Sequence, residues 1–313
     1  MDVEAWTDER LGVGSRSSGR HGPQLVTDCP ICGKHRLYIQ ALTGLWCCFY
    51  CRDSGGGGQG SFAALLALVE GLPLAAARER IRTGRGYSHR AEAREEPRIE
   101  PEQSASELEP LPADFIPVFA PGVGWTFPEY LRERGVRART AARYGLGSSR
   151  GRVVLPIRMD GALVGWQVRS TDPTSTLRYK TSRGVAPEAL FGFDLALCAS
   201  PLVLVEGPFD VLALAQQEHL AVALQGKVLH PEQALAVRDS HPGEVVLLLD
   251  GDVPGRKAVA AAGALLVRLG LQVRVARLSP EADPSSHPEI SRHAVEQAEP
   301  YGHPLRERLR ALR

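Results

Sequence analysis

Cysteine is almost absent from most of this sequence, and that absence excludes one class of fold. Five of the six cysteines lie between Cys29 and Cys51, and the sixth is Cys198. A disulfide framework spreads its cysteines through a small secreted domain, so this distribution argues against one. The clustering indicates a metal site instead, and Cys198, in an apolar stretch, is predicted to be a buried core thiol.

A long hydrophobic run is also lacking. The longest apolar run, residues 259–267, is too short to span a bilayer, and Arg268 ends it. The first residues, MDVEAWTDERLG, are acidic and polar, without the apolar centre of a signal peptide. We therefore expect a soluble, cytoplasmic protein with no membrane partner.

Neither sign of charge is in excess, because 37 Lys and Arg oppose 36 Asp and Glu. The charge is nevertheless unevenly distributed: residues 1–90 carry +3, residues 91–112 carry −5 and the remainder carries +3. The middle segment is rich in Glu and Pro and lacks apolar periodicity, which is typical of a solvated linker. The mildly basic parts on either side favour a nucleic-acid partner.

The cysteine segment has the spacing of a structural zinc site. Cys29 and Cys32 form one C-x₂-C pair, Cys48 and Cys51 form a second, and 15 residues separate the pairs. Each pair places two thiolates on one ion, and the spacer is long enough for a hairpin that brings the pairs together. Four thiolates with no open position describe a tetrahedral Zn²⁺ site. We predict a zinc ribbon holding one structural Zn²⁺.

Neighbouring side chains leave part of this assignment open. Cys47 would form a C-x₃-C pair with Cys51, a spacing we rank below C-x₂-C, and His35 lies between the two pairs. The aromatic residues Trp46 and Phe49 have two interpretations. They either stack on nucleic-acid bases or pack the inside of the ribbon.

The rest of the chain combines a hairpin with alternating strands and helices. Residues 153–158 and 162–169 predict two strands joined by the turn signal Asp160-Gly161. After Gly192, predicted strands at 202–205, 245–249 and 273–278 alternate with helices at 211–217 and 257–269. Such alternation predicts a parallel sheet. The predicted class is α+β / α/β, with an N-terminal zinc ribbon and helices followed by a core that contains a parallel sheet.

Acidic residues follow two of the predicted strands. Glu206 ends the first strand and Asp210 lies in the first turn of the next helix, while Asp250 and Asp252 follow the second strand. The carboxyl ends of parallel strands meet at one edge of a sheet, so these carboxylates converge. They repel one another unless a cation binds, and hard oxygen ligands suit Mg²⁺ or Mn²⁺. The sequence therefore predicts a catalytic divalent-cation site.

The order of these motifs resembles that of a DnaG-type primase, in the short version typical of phages, plasmids and mobile elements. The runs LVLVEGPFDVLAL and VVLLLDGDVPGRKAVAAA match the family's two Toprim motifs. The runs GRVVLPIRMDGALVGWQVRS and LRYKTS resemble its polymerase core, and the cysteines followed by GGQGSFAALLALVEG resemble its zinc-binding domain. The resemblance implies a zinc-binding domain over 1–90, a linker over 91–112, the first part of the primase core over 113–198, a Toprim domain over 199–285 and a basic tail over 286–313.

The resemblance also implies roles for individual residues. Glu206, Asp250 and Asp252 would be catalytic residues and ligands of Mg²⁺ or Mn²⁺, with Asp210 and Asp283 completing a neighbouring metal position. A basic groove for template and nucleotide phosphates would be lined by Arg158, Arg169, Arg178, Tyr179 and Lys180. The implied activity is template-directed synthesis of short RNA primers on single-stranded DNA from ribonucleotides. A separate replicative helicase is the implied partner, because no P-loop is present.

Other classes of protein share a zinc site and a Toprim domain. A recombination mediator of the RecR kind would place a helix–hairpin–helix before the zinc site, and this sequence has none. A Toprim nuclease or topoisomerase is a further class, and the topoisomerase would need a nucleophilic tyrosine in a large additional domain. A zinc/Toprim DNA-binding protein that acts in replication or repair without catalysis is the remaining alternative. It is kept because the segment VAPEAL, where bacterial primases are basic, has no Lys or Arg.

Overall fold

The computed structural model describes residues 2–19, 22–41, 44–48, 50–51, 59–72, 74–83, 107–120, 122–197, 199–240, 242–279 and 282–302. These residues belong to two compact units, Met1–Ser106 and Glu107–Arg313. Four predictions lie outside the described residues in whole or in part: the linker over 91–112, the tail over 286–313, the thiol of Cys198 and the ring of Phe49. The finer boundaries at residues 90, 198 and 285 stay predictions.

The first unit is an antiparallel sheet flanked by helices. Its strands pair in sequence order and are β1 (Ser15–Gly19), β2 (Gly22–Thr27), β3 (Leu37–Gln40), β4 (Trp46–Cys48) and β5 (Gln59–Gly60). Its helices are α1 (Val3–Leu11), α2 (Phe62–Glu70) and α3 (Leu74–Thr83). The Ser61 hydroxyl caps α2 by accepting from the Ala64 amide, and Gly71 ends the helix at a φ of 66°.

Three of the four predicted zinc ligands lie inside the hydrophobic core of this unit. Cys29, Cys48 and Cys51 are buried in one cluster with side chains of β2, β3 and the helices. Trp6 of α1 contacts Phe62 of α2 edge-to-face at 5.1 Å between ring centroids. The core is small, so the cysteines make up a substantial part of it.

The second unit begins with antiparallel strands and short helices. One sheet has the order β12 (Tyr179–Thr181), β11 (Ala162–Arg169), β10 (Arg152–Met159), β9 (Gly147–Ser149) and β6 (Ile116–Pro117). A separate hairpin joins β7 (Phe119–Ala120) to β8 (Gly124–Trp125). The helices here are α4 (Glu129–Glu133), α5 (Ala138–Arg143) and α6 (Phe193–Ala196). Asp160 and Gly161, both at positive φ, form the predicted turn between β10 and β11.

A mainly parallel sheet follows. Its order is β14 (Ala221–Ala223), β13 (Leu202–Val205), β15 (Val245–Leu247), β16 (Val273–Val275) and β17 (Glu299–Pro300). Its helices are α7 (Pro208–Ala215), α8 (Pro231–Asp239), α9 (Val253–Arg268) and α10 (Pro288–Glu296). Alternate residues of β13 enter different clusters: Val203 and Val205 pack on one face of the sheet, Leu202 and Leu204 on the other. The sheet is therefore covered on both faces, as a parallel sheet requires.

The structure differs from the sequence prediction in extent rather than in class. The strand β14 was not predicted because Ala221–Ala223 is too short to show a period, and the antiparallel edge strand β17 was missed for the same reason. Helices α7 and α9 begin three or four residues before their predicted starts, since Pro occupies the first turn of each. Among the described residues, no helix is both long and apolar enough to cross a membrane.

Candidate metal centres

The four cysteines of the first unit meet at one point. All four Sγ atoms lie within 4.8 Å of one another. The Sγ atoms of Cys29 and Cys51 are 3.8 Å apart, and those of Cys32 and Cys48 are 3.7 Å apart. Ligands about 2.3 Å from a tetrahedral centre lie about 3.8 Å from one another, so this group fits a single Zn²⁺.

Local structure explains how the two pairs meet. The Cys29 amide donates to the Lys34 carbonyl at 2.9 Å and the Gly33 amide to the Cys29 carbonyl at 2.8 Å, which closes a tight turn around the first pair. Cys48 ends β4, opposite Leu37 of β3. Burial raises the pKa of the Cys29 and Cys51 thiols, whereas the Lys34 amide lowers the pKa of Cys32 to about 7. A cation would stabilise all four as thiolates.

The two alternative ligands lie elsewhere. Cys47 precedes Cys48 on β4, and successive side chains of a strand point to opposite faces, so its thiol is turned away from the cluster. His35 pairs with Asp28, 2.8 Å from Nδ1 to Oδ1. Trp46 is buried and its indole donates to the Ser61 carbonyl at 3.0 Å, which supports the packing interpretation for this ring.

The acidic residues of the second unit lie beyond the carboxyl ends of the parallel strands. Glu206 directly follows β13, and Asp250 and Asp252 follow the adjacent strand β15. Asp210 lies in the first turn of α7, and Asp252 is the N-cap of α9. Asp283 comes from the segment after β16. The strand-end argument therefore places these residues at one edge of the sheet, as predicted.

Hydrogen bonds fix most of these carboxylates. Glu206 Oε1 accepts from the Asp250 amide at 3.1 Å. The two oxygens of Asp210 accept from the amides of Gly207 at 2.9 Å and Ser285 at 3.1 Å. The carboxylate of Asp250 itself accepts no hydrogen bond from any described residue.

Asp252 and Asp283 are held by different partners. Asp252 Oδ1 accepts from the Gly255 amide at 2.7 Å, and Lys227 Nζ lies 2.7 Å from Asp252 Oδ2. Asp283 accepts from the hydroxyls of Ser285 and Ser286 at 2.7 and 2.8 Å. Both carboxylates are thus tied to the turns that carry them.

Electrostatics divide the acids into two groups. Burial, with a contribution from neighbouring Asp250, raises the pKa of Glu206 to about 6 and that of Asp210 to about 7. Burial also raises the pKa of Asp250. The hydrogen bond from Lys227 lowers the pKa of Asp252. Burial opposes ionisation of Asp283, but hydrogen bonds from Ser285 and Ser286 outweigh it and lower its pKa. Buried carboxyls with raised pKa values, close to other acids, are the pattern of a site whose negative charge is only partly balanced.

The donor set of this edge suits a hard cation. It consists of carboxylate oxygens, without sulfur or imidazole, on the rim of an open cleft. Mg²⁺ and Mn²⁺ prefer such ligands and keep open positions for water or phosphate. The residues present therefore fit one or more divalent cations.

A cleft of about 630 Å³ joins the acids to a basic wall. The acids on its lining are Glu206, Asp210, Asp250 and Asp283. Facing them are Arg134, Arg169, Arg178 and Tyr179, together with Gln167 and Thr181 of the antiparallel sheet. Opposite charges therefore line a single cleft, as a site for a metal-bound phosphate would need.

Arg169 is held by contacts with two tyrosines. Its Nε donates to the Tyr130 hydroxyl at 2.9 Å. Its guanidinium lies over the ring of Tyr179, 4.6 Å from the centroid. A guanidinium held by a hydrogen bond and a ring is oriented before any ligand arrives.

Two of the predicted groove residues are not in this cleft. Lys180 lines a second cleft of about 310 Å³ on the other side of the sheet, with Arg150, Arg152 and Trp166. The physical reason is strand alternation, because Tyr179 and Thr181 flank Lys180 on β12 and take the opposite face. Arg158 lies near the β10–β11 turn, where its Nη1 is 3.5 Å from the Gly161 carbonyl. Only Arg169, Arg178 and Tyr179 of the predicted set meet the acids.

Several residues at this site were not predicted. Lys227 follows the short strand β14, which was missed, and Arg134 comes from the end of α4. Ser285 and Ser286 hold Asp283, and Ser285 also accepts from Arg134 at 3.1 Å. The signal available in the sequence was the run QGK over 225–227, which follows the apolar run AVAL.

Comparisons with known proteins agree with this geometry. Residues 203–287 match the family model described as Toprim-like. The DNA primase of Mycoplasma genitalium is 37% identical over 116 residues, which are 34% of this chain and 19% of that protein. The DNA primase of Deinococcus radiodurans is 32% identical over 145 residues, or 44% of this chain and 25% of that protein. The matched segment thus spans a quarter or less of these two primases.

A solved structure extends the likeness of fold. The crystal structure of the Aquifex aeolicus primase, with its zinc-binding and RNA polymerase domains, matches with a TM-score of 0.50 at 20% identity. The match covers 96% of this chain and 84% of that one. The chain is therefore similar in sequence to two bacterial DNA primases over part of its length, and similar in fold to the Aquifex aeolicus primase.

Proposed function

We propose that this chain is a DNA primase that synthesises short RNA primers on single-stranded DNA by Mg²⁺- or Mn²⁺-dependent nucleotidyl transfer. The observation that carries the proposal is the single cleft in which strand-end carboxylates face preorganised arginines. Nucleotidyl transfer needs both, because the acids would bind the cations and the arginines would bind the phosphates. The sequence relatives, which are themselves DNA primases, support the same activity.

Glu206, Asp250 and Asp252 would hold the catalytic cations, with Asp210 and Asp283 at a neighbouring position. A bound Mg²⁺ or Mn²⁺ would supply Lewis acidity for the attacking 3′-hydroxyl and the pyrophosphate leaving group. Glu206 would be either a ligand of these cations or the base that takes the proton of that hydroxyl. Asp210, anchored by two amides, would keep the other ligands in place.

Arg169, Arg178 and Tyr179 would bind the phosphates of the nucleotide and of the template. Arg169 is held by Tyr130 and Tyr179, so little conformational entropy would be lost on binding. Arg134, fixed by Ser285, would add a third guanidinium to the same wall. Lys180 and Arg158 would contact the template strand outside this cleft.

The first unit would hold one structural Zn²⁺ through Cys29, Cys32, Cys48 and Cys51 and would help to select the template. Lys34, which lies over the ring of Tyr50 at 3.1 Å from the centroid, offers a positive charge beside an exposed aromatic ring. Rings and cations of this kind contact single-stranded nucleic acid. A separate replicative helicase would be the partner that delivers the strand.

A primer-synthesis assay tests the proposal. Zinc-loaded protein is incubated with single-stranded DNA of several sequences, four labelled ribonucleotides and Mg²⁺ or Mn²⁺. We expect template-dependent oligomers of a few nucleotides. Asp250→Asn is expected to reduce their yield by about a thousandfold, roughly 4 kcal/mol of lost transition-state stabilisation.

The matched control is Glu232→Gln, which removes a negative charge from an exposed position in α8 outside the cleft. Its primer yield should equal that of the unmodified protein. Because the Asp250 carboxylate accepts no hydrogen bond from the described residues, Asp250→Asn should fold normally. The alternative is a zinc/Toprim DNA-binding protein. It would be favoured if the protein made no oligomer on any template and bound DNA equally well with and without Mg²⁺.

A further inference from the structure

Lys227 occupies an unusual place for a cation at a metal site. Its ammonium lies 2.7 Å from Asp252 Oδ2, while Oδ1 of the same carboxylate accepts from the Gly255 amide. Both oxygens of Asp252 are therefore engaged. A divalent cation that binds Oδ2 would share it with an ammonium, and the two positive charges repel each other.

The turn that carries Lys227 is anchored at the cleft. Gln225 Nε2 donates to the Ala189 carbonyl at 3.0 Å, and the Gly226 amide donates to the Glu206 carbonyl at 3.3 Å. Gln225 and Gly226 line the cleft, whereas the Lys227 side chain is drawn out to Asp252. The backbone is thus fixed beside the acids, and the four-carbon stem is free to redirect the charge.

Exposure supports this freedom. The Lys227 side chain is 44% exposed and that of Asp252 is 40% exposed. An ion pair this exposed is weak, and a divalent cation can displace it. Once released from Asp252, the ammonium would bind an anion in the cleft that Gln225 and Gly226 line.

We propose that Lys227 is the resident counter-cation of the acid cluster: it occupies Asp252 until a divalent cation displaces it, and it then binds the phosphates of the incoming nucleotide. The second step rests on the proposed function, because it takes a nucleoside triphosphate as substrate. The first step requires only that the acids bind divalent cations. Lys227 is thus both a competitor of the metal and a binding residue for the substrate.

Mn²⁺ titration followed by electron paramagnetic resonance tests the first step without any catalysis. Lys227→Met in the zinc-loaded full chain should bind Mn²⁺ about threefold more tightly than the unmodified protein, the effect of removing one weak ion pair. The control Lys257→Met removes the same charge from an exposed position in α9 and should leave the affinity unchanged. In an Asp252→Asn background, Lys227→Met should have no further effect.

Nucleotide binding tests the second step. In saturating Mn²⁺, Lys227→Met should raise the Kd of a non-hydrolysable nucleoside triphosphate about tenfold, and Lys227→Arg should restore most of the affinity. Equal Mn²⁺ affinity in Lys227→Met and the unmodified protein would overturn the counter-cation role. An unchanged nucleotide Kd would overturn the phosphate-binding role. Tighter Mn²⁺ binding in a protein that makes no primers would defeat the proposed function and leave the counter-cation role intact.

Discussion

The four-cysteine cluster of the first unit and the acidic cluster of the second unit differ in how their ligands relate to the core. Three of the four cysteines belong to a core of 13 buried residues. The acids lie at the edge of a sheet, where Glu206 and Asp210 are buried but the Asp252 side chain is 40% exposed. The first cluster is closed and the second opens into a cleft.

This difference indicates opposite relations between metal and fold. A cation bound by the cysteines would compensate for the small hydrophobic core of the first unit, so metal binding and folding of this unit would be coupled. A cation among the acids would relieve repulsion in a unit that has two larger hydrophobic clusters of its own.

The largest effect should follow loss of zinc. Removing the metal, or replacing Cys48 by Ser, should abolish cooperative unfolding of the first unit, since zinc binding contributes about 10 kcal/mol or more in small zinc modules. Unfolding of the second unit should be unchanged. Thermal unfolding with a parallel zinc assay measures both. The assignment of a structural zinc to the four cysteines would be contradicted by less than one zinc per chain in the unmodified protein, or by full zinc content in Cys48→Ser.

A smaller effect should come from the acids in buffers free of divalent cations. Burial raises the pKa of Glu206 to about 6 and of Asp210 to about 7, above the unfolded value of about 4. The folded state then binds protons more tightly at these two groups, so their contribution to stability is greatest below pH 4 and falls as the pH rises to about 7. We expect a loss of about 2 kcal/mol or more across this window in urea unfolding of the second unit.

Two further measurements refine this expectation. Asp210→Asn should flatten the pH dependence, although one lost hydrogen bond lowers stability at every pH. Millimolar Mg²⁺ should restore stability at pH 7.5 in the unmodified protein. A free energy of unfolding that is constant from pH 4.5 to 7.5 would mean that other groups already balance the negative charge of these acids.

Arg169 and Lys180 should differ because they face opposite sides of the antiparallel sheet. Arg169→Ala should weaken nucleotide binding about tenfold, the loss of one charge-assisted contact to phosphate. Lys180→Ala, a matched loss of charge, should change it less than twofold. Fluorescence titration with a labelled nucleotide in Mg²⁺ measures both constants. Equal effects would show that the nucleotide does not lie in the acidic cleft.

The smallest effect is expected for Cys47. Its thiol is turned away from the zinc cluster, so Cys47→Ser should retain one zinc per chain and change stability by less than about 0.5 kcal/mol. Mass spectrometry under native conditions reads the zinc content directly. His35→Ala should behave in the same way, since this residue pairs with Asp28.

Sequence could predict the parts of each site that are carried by one continuous segment. The cysteine spacing and the strand–acid–helix runs are local patterns, and the structure brings each group together. The roles of the acids stay predictions. Lys227 and Arg134 could not be found in this way, because they reach the acids from separate elements and only tertiary packing sets their distance.

Two differences between the sequence prediction and the structure have simpler causes. Tyr179 and Lys180 are neighbours in sequence and were assigned to one groove, although alternation along a strand separates them by a whole sheet. The strand Ala221–Ala223 has three residues, which is too few for a period to be visible. The opposite faces of Tyr179 and Lys180 could have been predicted from the sequence, whereas the strand Ala221–Ala223 could not.

The unbonded carboxylate of Asp250 has a consequence for how such a site would decay. Asp210 holds two amides, and Asp252 begins a helix, so selection for a folded protein preserves both even if catalysis is lost. The carboxylate of Asp250 makes no such hydrogen bond or helix cap among the described residues. Drift after loss of activity would reach Asp250 first and leave the fold unaltered.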